Sequence, residues 1–182
     1  MREGKKLLID IDGVIRDILP SILSIYNCQY NDKIGKTYTK KDITEFDFRH
    51  SLKNIRNIDT FFQAHSRDIF YYSNPVEKSL ASLKSLHKDY NITLITANPY
   101  RTGQRNTLEW LEMYDVRYDD LIFTTDKSIV KGEVALDDAV HNLLVMNANK
   151  KVCMDRPYNK RYKGHRVKDM EQFENFVREY VK

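Results

Sequence analysis

Four aspartates stand in two short clusters, each closing an apolar run: Leu7-Leu8-Ile9-Asp10-Ile11-Asp12-Gly13 and Val134-Ala135-Leu136-Asp137-Asp138. Runs of this length read as buried strands that carry acids to one edge of a sheet, each followed by a helix start. Gathering four carboxylates there costs free energy unless a cation or a proton compensates them. Mg²⁺, a hard ion that takes oxygen ligands, suits such a set. The chemistry indicated is metal-assisted work on phosphate.

A carboxylate is already ionised at pH 7 and can attack phosphorus without a base to activate it. Asp10 is the candidate nucleophile, which would become an aspartyl-phosphate. Asp12 falls on the same side of an extended chain, where it can protonate a leaving oxygen and later deprotonate water. Gly13 lets the chain turn and bares N–H groups toward phosphate oxygens. Asp137 and Asp138 are candidate Mg²⁺ ligands. Thr96 ends another apolar run and offers a hydroxyl, with N–H groups beside it, that of Ala97 among them. A lysine, Lys127 or Lys131, should complete the phosphate cradle. Taken singly these residues are ordinary: Asp-x-Asp-Gly occurs in turns, and Thr96 and Lys127 could be a plain strand-end threonine and a surface lysine. Their order along the chain is the specific signal.

The elements that must position them alternate. Residues 6–11 read as a strand and 14–27 as a helix. Over 76–89 the spacing of Val76, Leu80, Leu83 and Leu86 predicts a helix, with Asn74 as cap, Pro75 at its first position and Glu77 closing a capping box. Ile92-Thr93-Leu94-Ile95-Thr96 is a strand. Leu108, Leu111 and Tyr114 mark an amphipathic helix with Trp110 on its flank. Strands follow at 121–124, 134–137 and 151–154. Met170, Phe173, Phe176 and Tyr180 form the core stripe of a closing helix. Such alternation implies an α/β fold with a parallel sheet and helices on both faces, and ligands then bind beyond the carboxyl ends of the strands. Residues 28–74, rich in aromatics and charges, are too long for a loop and predict a mostly helical insert over those ends.

Composition narrows the class. The 182 residues, 41% hydrophobic and 31% charged, suit one compact domain with a small insert. No apolar run reaches the ~20 residues of a membrane helix. Met1-Arg2-Glu3-Gly4-Lys5-Lys6 runs directly into the first strand, leaving no room for a signal peptide. Cys153 reads as a small core residue and Cys28 stands far from it in sequence, so a cytoplasmic location is expected. The five histidines show no metal-ligand spacing. Residues 150–168 hold eight Lys/Arg against one Asp, an excess larger than the net charge of +4. That stretch is a solvated loop or a funnel for anionic substrates. Nucleic acid is not the expected partner, because no stacking register or recognition helix accompanies the charge.

The order Asp-x-Asp, Thr, Lys, Asp-Asp resembles the haloacid dehalogenase-like superfamily of phosphohydrolases, over about residues 5–15 and 75–160. Within it the chain is similar to the 5′(3′)-deoxyribonucleotidase family and its bacterial and phage relatives. Asp10-Ile11-Asp12-Gly13-Val14-Ile15-Arg16-Asp17, Trp110-Leu111-Glu112, Asp126-Lys127, Leu136-Asp137-Asp138 and Asp155-Arg156-Pro157-Tyr158-Asn159 carry that resemblance. It implies a Rossmann-like catalytic core of residues 1–15 and 75–182, with a small helical cap of residues 16–74. It further implies Asp10 as nucleophile, Asp12 as acid/base, and Thr96, Ala97 and Lys127 on phosphate. Asp10, the Asp12 carbonyl and Asp138 would ligate Mg²⁺, with Asp137 acting through water. Phe46, Phe48, Phe61 and Phe62 become candidates to enclose a base. One departure is Thr107, where the family carries a second phosphate-site lysine three residues before the tryptophan. Lys131, Arg101 and Arg105 are the candidate substitutes.

The expected activity is Mg²⁺-dependent hydrolysis of a small phosphomonoester, foremost a (deoxy)nucleoside 5′- or 3′-monophosphate. Aspartate at position 12 favours a phosphohydrolase over a dehalogenase, since only phosphoryl transfer needs that acid/base. Alternatives are another small phosphorylated metabolite, or a non-catalytic relative that binds phosphate or nucleic acid. A receiver-like signalling module uses similar residues in a different order, which argues against it.

Overall fold

The structure is a computed structural model and describes residues 5–181. Met1 to Gly4, the lead-in expected to pass straight into the first strand, lie outside the described residues. Six parallel strands form one sheet in the order β3-β2-β1-β4-β5-β6. At its centre β1 (Lys6–Ile9) pairs with β2 (Asn91–Thr96) on one side and β4 (Lys131–Asp137) on the other. Outside these lie β3 (Asp120–Phe123) on the β2 side, then β5 (Asn147–Met154) and β6 (His165–Val167) beyond β4.

Strand side chains alternate between the two faces. Leu7, Ile9, Ile92, Leu94, Val134, Leu136, Val152 and Met154 share one buried cluster with Leu83, Trp110, Leu111 and Phe173. Those four belong to α5 (Ser79–Leu86), α6 (Arg101–Met113) and α8 (Met170–Tyr180). Leu8, Ile95, Ala135 and Cys153 face the other way, against Leu143 of α7 (Val140–Val145) and Met146. A third cluster is built from the insert: Ile22, Leu23 and Tyr26 of α1 (Leu19–Ile34), then Ile43, Leu52, Ile55, Phe61, Ile69 and Phe70. Three short helices, α2 (Phe48–Ser51), α3 (Ile58–Ala64) and α4 (Ser66–Phe70), supply much of it. The helical character expected of 28–74 is present, and no described helix is long and apolar enough to cross a membrane.

Several expected elements shift, each for a local reason. Residues 14–18 are not helical. The Ile11 carbonyl accepts the N–H groups of Val14, Ile15 and Arg16, closing a tight turn after the first strand. Asp17 N–H then donates to the Asn74 carbonyl and Val76 N–H to that of Ile15, so 15–17 and 74–76 lie side by side. Asn74-Pro75 is therefore part of this pairing and caps nothing, and α5 starts only at Ser79, after Lys78 at φ 60°. Val14 and Ile15 are apolar because the core takes them. Pro20, which lacks an N–H, suits the first turn of α1, and Gly35 at φ 65° ends that helix.

In α6 the buried face runs Gly103, Asn106, Thr107, Trp110, Leu111. Leu108 is 48% exposed, whereas Trp110 is wholly buried and donates its indole N–H to the Ser73 carbonyl at 2.7 Å. Polar residues on that face disguised it in the apolar pattern. At the chain's end Tyr180 is also exposed, stacked on Phe176 and under the Lys150 ammonium. Strand β6, inside the basic stretch, was not expected, because Val167 is its one buried apolar residue.

The corrected face of α6 makes a direct prediction. Leu111→Ala should lower the free energy of unfolding by about 2–5 kcal/mol, and Leu108→Ala by no more than about 0.5 kcal/mol, in urea titrations. Equal losses would restore Leu108 to the core.

Candidate active site

The chain passes from β1 to β2 on one side of the sheet and later inserts β4 on the other side, which makes a crevice at the carboxyl ends of these strands. Asp10 follows β1, Thr96 ends β2, and Asp137 ends β4 with Asp138 next to it. A cavity of about 480 Å³ opens there. Asp10, Asp12, Thr96, Ala97, Lys127 and Asp138 all line it. Residues 86 positions apart in sequence (Asp10 and Thr96) thus meet because parallel strands end together.

Charge dominates the floor of this cavity. Lys127, in a 3₁₀ turn (Lys127–Ile129), is buried, and its Nζ donates to Asp10 Oδ1 at 2.7 Å and to Asp137 Oδ2 at 2.6 Å. Burial alone pushes an ammonium toward neutrality, but the two carboxylates outweigh it and hold the Lys127 pKa above its ordinary value. Asp137 is further engaged by the Ala139 N–H at 2.7 Å and by the Asn142 amide. Asp138 accepts from the Tyr158 hydroxyl, while Asn159 Nδ2 donates to its backbone carbonyl at 2.7 Å.

One oxygen from each of Asp10, Asp137 and Asp138 lies within 4.8 Å of the others. Three carboxylates therefore share a single buried ammonium. Burial, opposed by Lys127 and reinforced by the neighbouring acids, raises Asp10 well above the usual carboxylate range. Burial and then Asp137 push Asp138 up to about 7. An all-oxygen set with surplus negative charge fits a hard divalent cation.

Asp12 is held differently. Its Oδ1 accepts from Arg16 Nε at 2.7 Å, and Arg16 itself is fully buried. Arg16 also donates from Nη1 to the Phe70 carbonyl at 2.6 Å and from Nη2 to Thr107 Oγ1 at 3.0 Å. Its guanidinium carbon lies 5.3 Å from the Phe70 ring centroid and 5.2 Å from that of Trp110. Between the two acids' chain segments sits Gly13, at φ 80°. A Cβ there would lie 2.0 Å from Asp138 Oδ2, so the close approach of loop and carboxylate requires glycine.

The remaining candidates separate clearly. Lys131 is exposed at the start of β4, and Arg101 and Arg105 are exposed on α6, with Arg105 paired to Glu109 at 3.0 Å. None of the three lines the cavity, and Thr107 is occupied by Arg16. Phe46 and Phe48 line the cavity, and with Phe62 they also line an adjoining one of about 540 Å³ that shares Asp12 and Ala97. Phe61 is buried in the insert's own cluster and lines neither.

Arg156 and Tyr158 reach the cavity from the basic stretch, and Arg156 Nε donates to the Gly13 carbonyl at 2.8 Å. Three other cations of that stretch make contacts within the chain: Lys160 and Arg166 bind Asp155, and Lys151 binds the Leu144 carbonyl. Spacing alone pointed to none of Arg16, Asn142, Arg156 or Tyr158 as site residues. Asp-Arg-Pro-Tyr-Asn after an apolar strand was the available signal for two of them.

The family described as 5′ nucleotidase, deoxy (pyrimidine), cytosolic type C protein matches residues 5–180. A 5′(3′)-deoxyribonucleotidase of Bacillus subtilis (strain 168) and one of Bacillus phage SPbeta are each 28% identical over 159 residues, 86% of this chain and 88% of theirs. In fold the chain is similar to a haloacid dehalogenase-like hydrolase from Streptococcus pneumoniae, with a TM-score of 0.63 at 13% identity, covering 97% of this chain and 100% of that one.

Gly13→Ala should test the closeness of the loop. Strain at a positive φ costs about 1–3 kcal/mol, so the variant's unfolding midpoint in urea should fall well below that of the unsubstituted chain. An unchanged midpoint would mean that the loop stands clear of Asp138.

Proposed function

The chain belongs to the deoxy (pyrimidine), cytosolic type C 5′-nucleotidase family of haloacid dehalogenase-like phosphoric monoester hydrolases; we propose that it hydrolyses a (deoxy)nucleoside 5′- or 3′-monophosphate through an aspartyl-phosphate on Asp10, with Mg²⁺. The observation that carries this reading is the buried cluster of Asp10, Asp137 and Asp138 around Lys127, opening on a cavity that Asp12 also lines.

With Oδ1 held by Lys127, Asp10 presents Oδ2 to phosphorus. Asp12 protonates the departing sugar oxygen and then removes a proton from the water that cleaves the acyl phosphate. The Thr96 hydroxyl and the Ala97 N–H receive the transferring phosphoryl oxygens, and Lys127 neutralises charge beside them. Asp10, the Asp12 carbonyl and Asp138 would hold Mg²⁺, Asp137 acting through water, and the ion would offset the repulsion between phosphate and carboxylates. Residues 16–74 act as a cap over a core of residues 1–15 and 75–182, a division supported by the insert's separate apolar cluster. Phe46, Phe48 and Phe62 line the cavity that adjoins the phosphate position, which suits them to flank a base.

Release of inorganic phosphate from a panel of deoxy- and ribonucleoside monophosphates and sugar phosphates tests the assignment. Nucleotides should be turned over with Mg²⁺ and not with EDTA, and Asp10→Asn should abolish turnover. Equal, feeble rates on every ester would remove the nucleotide assignment. Lys127→Ala should lower kcat/KM by on the order of 10²-fold, and Lys131→Ala should leave it near that of the unsubstituted enzyme.

Metal dependence has a second signature. Asp138 lies near 3.8 when unperturbed and about 7 in the folded chain. The folded state therefore binds the extra proton, and the stabilisation this brings is lost as pH rises through about 7. Since Mg²⁺ competes with that proton, its upward shift of Tm should be larger at about pH 8 than at about pH 5.5. A shift independent of pH would speak against Asp138 as a ligand.

A further inference from the structure

Arginine is seldom buried completely, and here Arg16 is placed where it can act on chemistry without touching substrate. Three of its nitrogens are committed, to Asp12 Oδ1, the Phe70 carbonyl and Thr107 Oγ1. Its guanidinium carbon also lies over the Phe70 and Trp110 rings. Trp110 is pinned in turn by the Ser73 carbonyl, and Ser73 Oγ bonds both Ser21 Oγ and the Ile69 carbonyl. The guanidinium thus has one seat, fixed by the catalytic loop, α6 and the last turn of α4 together. Among the described residues, no hydrogen bond engages the other carboxylate oxygen of Asp12, and Asp12 lines both cavities.

We propose that Arg16 is a positioning residue for Asp12: by holding Oδ1 it confines the exchangeable proton to Oδ2 and aims that oxygen at the leaving group. The inference rests on the function proposed above. A guanidinium stays protonated and only donates, so the oxygen it binds accepts whether the carboxyl is neutral or charged. In the first half-reaction the Asp10–phosphorus bond forms as the phosphorus–sugar oxygen bond breaks, and the Oδ2 proton passes to that oxygen. Asp12 is left as a carboxylate opposite the guanidinium. In the second, Oδ2 takes a proton from water as the water oxygen bonds phosphorus and the Asp10–phosphorus bond breaks, releasing inorganic phosphate. Thr107 belongs to the same device. Its buried hydroxyl accepts from Arg16, and an ammonium in that slot would confront the guanidinium.

Leaving groups separate positioning from mere structural support. p-Nitrophenolate departs without a proton, whereas a nucleoside alkoxide needs one, and kcat/KM reports only the first half-reaction. Arg16→Lys should therefore lower kcat/KM for a nucleoside monophosphate by about 10²-fold and that for p-nitrophenyl phosphate by less than about 5-fold, the disparity that loss of general-acid assistance produces. Thr107→Val, a smaller change for the case in which Arg16→Lys does not fold, should shift the ratio of the two in the same direction. In an Asp12→Asn background neither substitution should move that ratio further. Equal losses on both esters, no loss on either, or full additivity with Asp12→Asn would overturn the inference while leaving the nucleotidase assignment intact. A chain inert toward both esters with Mg²⁺ would overturn the two together.

Discussion

The Lys127 ammonium, buried between Asp10 and Asp137 at 2.7 and 2.6 Å, is the contact on which the arrangement of the strand ends depends. Without it, three carboxylates would share a pocket away from water, a state that unpaired charge does not tolerate. The contact bridges two adjacent strands, β1 and β4, and the turn that carries Lys127 itself. It still leaves the pocket negative, and burial first, then the neighbouring acids, hold Asp10 and Asp138 above the ordinary carboxylate range. A fully neutralised cluster would be a structural ion-pair network. This one carries surplus negative charge on an all-oxygen set, which fits a hard divalent cation.

A second buried cation organises the boundary of the site. Lys127 ties strand to strand beneath the cavity, whereas Arg16 ties the loop after β1 to α6 and to the end of α4. The insert has its own apolar cluster, so its position over the strand ends depends on the contacts that cross to the core. Arg16, from the insert's first position, to Asp12 and Thr107 is one. Tyr100 to Asp59 at 2.5 Å and the packing of Phe46 on His141 and Tyr158 are others. Each of these joins insert to core within or beside the lining of the two cavities. The placement of the insert and the shape of the cavities are consequently the same physical question.

Much of this was open to a reader of the chain alone. Parallel strands surrounded by helices show themselves as short apolar runs separated by helical spacing, and Asp10, Thr96, Asp137 and Asp138 could be set at strand ends because each directly follows such a run. The misplaced elements share a cause. Val14 and Ile15 look like the start of a helix, yet their N–H groups turn back on the Ile11 carbonyl, and Asn74-Pro75 looks like a helix start while it pairs with residues 15–17. The first is a local turn, continued by a long-range pairing of residues 15–17 with 74–76, some 60 residues apart, of which local propensity carries no trace. Leu108 and Trp110 changed places because the buried side of α6 is partly polar, its Thr107 being matched by a distant arginine.

The choice between Lys127 and Lys131 shows where pattern stops and geometry begins. Both precede the second acid cluster, and both are lysines near a strand start. Only the 3₁₀ turn that Asp126 caps, accepting the Ser128 N–H at 3.0 Å, folds one of them inward while the strand carries the other out to solvent. Arg16 is the same lesson in reverse: its type and position are plain in the sequence, but its meaning is not. An arginine six residues after Asp10 has no assigned role until Phe70, Thr107 and Trp110, none of them near it in sequence, meet it. Buried charge is decided by the partners the fold delivers, so residues whose roles depend on such partners are the ones that spacing cannot assign.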